Sequence, residues 1–236
     1  MLLLLLQIPE NEKNMQTSSR QQTLSPVQIS AVVEISPGAY LLSFSRNFPF
    51  TAGQVLKIAL GENEMPRMYS ICSGESDPDI TILFNVKPEG SLTPHLSHCK
   101  PGDILFTSLP LGSFTSDNLP AWWIATGTGI APYYSMLRSG LHHEKRVLHG
   151  VRQLNQFYFE KEWNEHLGSN YIRCCSREKD GKVFPGRVTD YLMQLEELPR
   201  GIKYYLCGNG LMVVEVRDLL IERGVPFTNI ISEIYF

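Results

Sequence analysis

Three short stretches of this chain carry residue types that can act on a ligand together. In WWIATGTGIAPYYSMLR an apolar, strand-like run leads into Gly127-Thr128-Gly129, and Pro132 sits where a helix would make its first turn. Glycines at such a junction let backbone amides approach a pyrophosphate, and a helix N-terminus adds partial positive charge; a glycine pair after a strand also serves as a plain tight turn. In PRMYSIC, residues 66–72, strand alternation puts Arg67 and Tyr69 on one side and Ser70 on the other. A guanidinium beside an aromatic ring can hold a flat ring system and its phosphate tail. In NVKPEGSLTPHLSHCKPGD, residues 85–103, Gly90 to Thr93 form a turn into a short helix whose free amides offer a second place for an anion.

Two kinds of scaffold are needed to position these stretches. From Pro26 to about Phe114 short apolar runs broken by turn residues (VQISAVVEI, AYLLSFS, QVLKIAL, MYSIC, DITILFNV) read as an antiparallel sheet, closed or nearly closed into a barrel. From Ala121 the rhythm becomes strand, helix, strand, with buried-type runs WWIAT, RVLHGV, YIRCC, KYYLC and NIISEI. Helical stretches at Pro132 to Arg138, Gly186 to Leu195 and Leu211 to Arg223 lie between them, which implies a doubly wound parallel sheet. The expected architecture is therefore two-domain, β followed by α/β. It comprises a flexible tail at 1–23, an antiparallel β-barrel domain at 24–116 and a doubly wound domain at 117–236, divided in SDNLP, residues 116–120.

Composition narrows the function classes. With 43% hydrophobic residues over 236 positions the chain can bury one large core or two modest ones, the order of motifs favouring two, so global disorder is excluded. A formal net charge of -3 gives a nucleic-acid partner no electrostatic support. The start, MLLLLLQIP, has neither the basic flank nor the cleavage site of a secretory signal and is too short to span a bilayer, so no stable membrane insertion is expected. Five cysteines without a CxxC pair write neither a disulfide framework nor a metal site, and a reducing, cytoplasmic location fits them.

Taken in order, FTAGQ, RMYS, GSLTPHL, LPLGSF, ATGTGIAP, GVR, CSRE, CGNGLM and the terminal EIYF make residues 25–236 resemble the ferredoxin–NADP reductase family, including its short bacterial members. The resemblance implies a flavoprotein oxidoreductase that moves a hydride between NADP(H) and FAD, and single electrons between FAD and a protein such as ferredoxin or flavodoxin. It implies that Arg67 contacts the flavin phosphate, Tyr69 packs on the isoalloxazine and the Ser70 hydroxyl lies near N5. The amides of Ser91, Leu92 and Thr93, with the Thr93 hydroxyl, would grip the pyrophosphate. FAD is the commoner occupant of similar sequences, while FMN would use the same arginine and phosphate turn.

In the second half the resemblance puts Gly127, Thr128 and Gly129 against the pyridine nucleotide's pyrophosphate, and Gly150 and Arg152 in the family's GVR position; Arg152 also reads as a solvated loop cation. Ser176 and Arg177 end a strand and Arg187 follows ten positions later at a helix start. Two guanidiniums and a hydroxyl suit a 2'-phosphate, whereas an NADH enzyme places an acidic residue at that strand end. Glu178 and Asp180 are close by, in what reads as a solvent-facing loop, and the expectation is NADP(H). Cys207 would contact the nicotinamide, with Gly208, Asn209 and Met212 shaping the pocket; Cys174 and Cys175 read as core. Glu233 would relay protons through Ser70, and Tyr235 would cover the flavin face. Plant-type members stop at the tyrosine, so Phe236 leaves open which ring does this.

The same two domains also serve as the reductase component of an oxygenase and as ferric or flavin reductases. The sequence has no cysteine cluster for iron and sulfur, so any acceptor is expected to be separate. A flavin-binding module without turnover is the reading from another class.

Overall fold

The computed structural model describes residues 23–235, and for Tyr235 the backbone only. Of the expected tail only Thr23 is described; residues 1–22 and Phe236 lie outside. The first half is a six-stranded antiparallel sheet in the order β4-β3-β6-β1-β2-β5. Its strands are β1 (Ser25–Ser36), β2 (Ala39–Ser45), β3 (Val55–Ala59), β4 (Arg67–Ser70), β5 (Asp79–Asn85) and β6 (Ile104–Thr107), with the short helix α1 (Thr93–Leu96) after β5. A bridge from Ile71 to Ile82 joins the two outer strands, and this closes the barrel. Strand alternation fills its interior with Ile29, Leu42, Phe44, Leu56, Ile58, Ile80 and Phe84.

The second half is a parallel sheet in the order β10-β9-β8-β7-β11-β12. It comprises β7 (Ala121–Thr126), β8 (Lys145–Val151), β9 (Tyr171–Cys175), β10 (Phe184–Pro185), β11 (Lys203–Asn209) and β12 (Ile230–Tyr235). Helices α2 (Ala131–Arg138), α3 (Glu160–Leu167), α4 (Val188–Gln194) and α5 (Gly210–Glu222) connect the strands. The WWIAT run shows why both faces are covered: Trp123 and Ala125 enter one core with α2 and α3, while Trp122 and Ile124 enter the other with α4 and α5. A strand buried on both faces needs no polar alternation. The five runs read as strands are β7, β8, β9, β11 and β12. The sequence reading did not name β6, α3 or the two-residue β10. The helix expected from Gly186 begins at Val188, because Arg187 is extended at its N-cap.

The two halves share one core. Ala39, Ala52, Cys72, Leu83 and Phe114 of the barrel side pack in a single cluster with Trp123, Tyr133, Tyr134 and Met136. Buried Ser135 of α2 donates to the Ser73 carbonyl at 2.6 Å, Tyr158 donates to Asn85 at 3.0 Å, and Ser36 donates to the Asn155 carbonyl at 2.7 Å. Arg138 and Asp77 pair at 2.7 Å across the same seam. A half-exposed ion pair is worth at most about 1 kcal/mol, so the apolar burial and the buried serine bond dominate the seam.

Gly53 marks the tightest approach. Its φ is +98°, and a Cβ there would lie 1.9 Å from the Phe114 carbonyl oxygen. Gly140 has a comparable φ of +82° but open space around it. Gly140→Ala should therefore cost about 1 kcal/mol of backbone strain, and Gly53→Ala roughly 3 kcal/mol or more because overpacking adds to it. Urea unfolding of the two variants reads the difference; equal losses would show that the packing around Gly53 yields.

Candidate active site between the two sheets

The parallel sheet changes direction between β7 and β11: from β7 the chain moves outward through β8, β9 and β10, then returns to β11 and β12 on the other side. Strand ends at such a reversal are splayed by their connections and leave a crevice for a ligand. Gly127-Thr128-Gly129 and Cys207-Gly208-Asn209 both stand there. Register pairs Cys207 with Ala125, two residues before the glycine turn opens at Gly127.

Glycine is required on both sides of this crevice. A Cβ on Gly129 would lie 2.4 Å from the Cys207 carbonyl oxygen, and one on Gly208, at φ +135°, 2.5 Å from Thr126 Oγ1. Gly127 differs: its φ is +53° and its Cβ direction is open to 4 Å. From Gly127 the chain enters a single 3-10 turn, Gly127–Ile130, and then α2, so the helical amides begin earlier than Pro132 suggested. The first of them have no acceptor within the helix. An open face, a left-handed glycine and first-turn amides without a helical acceptor fit a pyrophosphate. Asn209 completes the rim, accepting from the Leu211 amide at 3.0 Å through its side chain while its own amide donates to Thr126 Oγ1 at 3.3 Å. Met212 is buried behind it.

The barrel meets this crevice through Ser70. Its hydroxyl donates to Glu233 Oε2 at 3.2 Å, and the Cys207 thiol lies 4.0 Å from the same oxygen. Three of the four residues read as catalytic thus converge, from β4, β11 and β12. Burial pushes the Glu233 carboxyl above its ordinary range, and the bond from Ser70 opposes that rise. Alternation pairs Ser70 with Met68, yet Met68 is 63% exposed and Ser70 3%. The contact with β12 makes the difference.

Tyr69, on the other face, packs edge-on against Phe84, and burial pushes its phenol up to about 12. Arg67 is exposed at the start of β4. Thr93 Oγ1 accepts from the Lys87 amide at 2.9 Å, which ties the turn holding exposed Ser91 and buried Leu92 back to β5. An exposed guanidinium, a half-buried ring and a tethered turn fit a flat ring with an anionic tail. At the far rim Arg152, Ser176 and Arg177 are exposed; the amide of Arg177 donates to the Arg152 carbonyl at 3.2 Å. Ser176 turns its hydroxyl to the Val151 carbonyl at 3.4 Å, and Arg187 faces Glu215 at 3.8 Å. Cys174 and Cys175 are buried in the sheet. Gly150 serves packing, since a Cβ there would meet Val188 at 2.7 Å. The side chain of Tyr235 and all of Phe236 lie outside the described residues.

Two site residues escaped the sequence reading. Thr126 bonds Asn209 as above. Fully buried His149 contacts the Gly127 carbonyl at 3.2 Å through Nε2 and the Tyr171 hydroxyl at 3.1 Å through Nδ1. Desolvation lowers its pKa to about 4. The available signal was a histidine inside the apolar run RVLHGV. A separate cleft of about 480 Å³ opens between the halves beside Cys72, Tyr134 and Arg138, but none of the expected site residues lines it.

The profile of the oxidoreductase NAD-binding domain matches residues 123–218, the sheet carrying the glycine crevice. A ferredoxin–NADP reductase of Azotobacter vinelandii is 36% identical over 210 residues, covering 76% of this chain and 81% of that protein. This chain belongs to the ferredoxin–NADP reductase family. A flavodoxin/ferredoxin–NADP reductase of Shigella flexneri is 31% identical, with 70% and 76% covered. The fold agrees with the solved ferredoxin–NADP reductase of Neisseria gonorrhoeae, with a TM-score of 0.82 at 19% identity over 91% of this chain and 99% of that one; that structure has bound FAD and NADP. Among the described residues of this reductase no helix is long and apolar enough to cross a membrane.

Glu233 has a folded pKa raised above its unfolded value, so the stability linked to its protonated form is present at low pH and lost as pH rises through the folded value. Glu233→Gln fixes the neutral state. The difference in unfolding free energy between variant and parent should move in the variant's favour between about pH 4 and about pH 8. A difference independent of pH would remove the buried carboxyl from the account.

Proposed function

We propose that this family member is a flavoprotein reductase that couples NADP(H) to a one-electron protein of the ferredoxin type, flavodoxin being the alternative partner, with residues 24–116 holding FAD and 117–236 holding the nucleotide. The supporting observation is the Ser70–Glu233–Cys207 contact, where the barrel and the carboxyl ends of β11 and β12 meet. Arg67, Tyr69, Ser70 and the amides of Ser91, Leu92 and Thr93 would hold the flavin. Gly127, Thr128, Gly129, Gly208, Asn209 and Met212 would hold the dinucleotide at the sheet reversal, with Arg152, Ser176, Arg177 and Arg187 toward its 2'-phosphate. FAD, when bound, supplies a two-electron acceptor that can release its electrons singly.

The chain's own contribution is placement and proton handling. Ser70 donates to a carboxylate that burial favours in its neutral form, so a proton taken up by Glu233 can reach the serine oxygen in one short step. Cys207 and Ser70 exclude water from the meeting point, both being almost fully buried. Tyr235 or Phe236 would cover the flavin face.

Anaerobic mixing of the purified yellow protein with NADPH or NADH, followed by flavin absorbance, tests the reading: NADPH should bleach the flavin fast and NADH slowly. Arg177→Ala should weaken NADPH binding roughly tenfold to a hundredfold, the range for one charged hydrogen bond, and leave NADH unchanged. Equal loss with both would defeat the 2'-phosphate assignment. Glu233→Gln should slow turnover while flavin stays bound, and unchanged turnover would take Glu233 off the proton path.

A further inference from the structure

The proposed mechanism makes no use of His149, a polar side chain with no exposed surface in the middle of a parallel sheet. It stands on β8 opposite Ala125 of β7. Its ring contacts Phe157 edge-on and Tyr171 at a tilt. Both ring nitrogens are engaged, and the partners fix its chemistry. The Gly127 carbonyl, 3.2 Å from Nε2, can only accept, so Nε2 carries the hydrogen. In a neutral ring Nδ1 is then bare, and the Tyr171 hydroxyl at 3.1 Å donates to it. Burial keeps the ring neutral across the physiological range. The result is a directed relay: Tyr171 donates to His149, and His149 donates to the Gly127 carbonyl.

That carbonyl belongs to the peptide joining Gly127 to Thr128, and the described residues contain no cis peptide bond. In a trans peptide the C=O of one residue and the N–H of the next point in opposite directions. A carbonyl drawn inward to His149 therefore turns the Thr128 N–H the opposite way, away from the buried ring. Gly127 opens a 3-10 turn, whose i to i+3 pattern also engages this carbonyl, so His149 gives the oxygen a second donor at a glycine, φ +53°, that has no side chain to restrain the peptide. Rotated the other way, the same peptide would present its oxygen to an incoming anion.

We propose that His149 is a positioning residue for the dinucleotide's pyrophosphate: through its bond to the Gly127 carbonyl it holds the Thr128 amide aimed at the phosphate oxygens. The inference rests on the dinucleotide reading of the β7–β11 crevice and adds to it a residue that touches no ligand.

The test measures dissociation constants by calorimetry for two probes, NADP+ and adenosine 2'-monophosphate, which lacks the pyrophosphate. His149→Phe fills the space without a donor and should weaken NADP+ roughly tenfold to a hundredfold while leaving adenosine 2'-monophosphate unchanged. His149→Gln, whose amide nitrogen can take the place of Nε2, should recover most of that loss. Tyr171→Phe should cost NADP+ alone a few-fold, because the ring is no longer held to one tautomer. Equal weakening of both probes, or of neither, overturns the positioning role. If His149→Phe fails to fold, His149→Gln and Tyr171→Phe decide it on the same criterion. Parent protein that binds neither probe would instead overturn the dinucleotide reading itself, and the role of His149 with it.

Discussion

Ser135 of α2 donates to the Ser73 carbonyl inside a core shared by barrel and parallel sheet, and there Gly53 leaves no room for a side chain between the Phe114 backbone and the Met136 methyl of α2. This seam fixes where one half sits on the other. The Ser70 hydroxyl and the Glu233 carboxylate belong to residues 163 positions apart and have to meet at hydrogen-bond range. A sliding interface would lose that bond, since a shift of 1 Å takes 3.2 Å outside any useful geometry. Close packing resists such a shift because every displacement opens voids on one side and clashes on the other.

Within the second half a similar demand falls on the chain's thinnest residues. Two strands must approach closely at their carboxyl ends while leaving a crevice between the loops that follow. Gly129 and Gly208 satisfy the first condition, each lying where a Cβ would strike backbone or the Thr126 side chain. Gly127 satisfies the second, with its open face and left-handed backbone. The three glycines look alike in the string ATGTGIAP…CGN, yet Gly129 is an excluded-volume requirement, Gly127 a conformational one, and Gly208, at φ +135°, both.

The elements built on strong apolar periodicity were legible in the sequence: five of the six strands of the parallel sheet and the longer strands of the barrel. β6 and β10 were not, although β4, as short as β6, was. β6, ILFT, is four residues directly after a turn, and β10 is two residues held by register with Cys174 and Cys175. Its strand status comes from its neighbour and not from its own pattern. The site divides the same way. RMYS and the glycine turns announce themselves by residue type at a junction. The burial of Ser70 depends on β12, and the role of His149 depends on which carbonyl lies beside its ring; neither is a property of a local window. Alternation alone grouped Ser70 with Met68, and tertiary contact separated them.

The distribution of charge through the site follows from the cost of desolvation. Moving an ion from water into a protein interior costs several kcal/mol unless a partner compensates, whereas a neutral donor needs only a hydrogen bond. Accordingly the polar groups at the site are neutral or driven toward neutrality as water is excluded: the buried Ser70 hydroxyl, the buried His149 imidazole and the half-buried Glu233 carboxyl. The guanidiniums of Arg67, Arg152, Arg177 and Arg187 stand exposed at the rim, where hydration keeps their charge inexpensive. Oriented backbone amides then carry the task of meeting an anion in the interior, because a peptide dipole offers partial positive charge without an ion to desolvate. A peptide dipole is useful only if it points the right way. That is why an uncharged, doubly bonded histidine behind a flexible glycine is the physically economical means of aiming one.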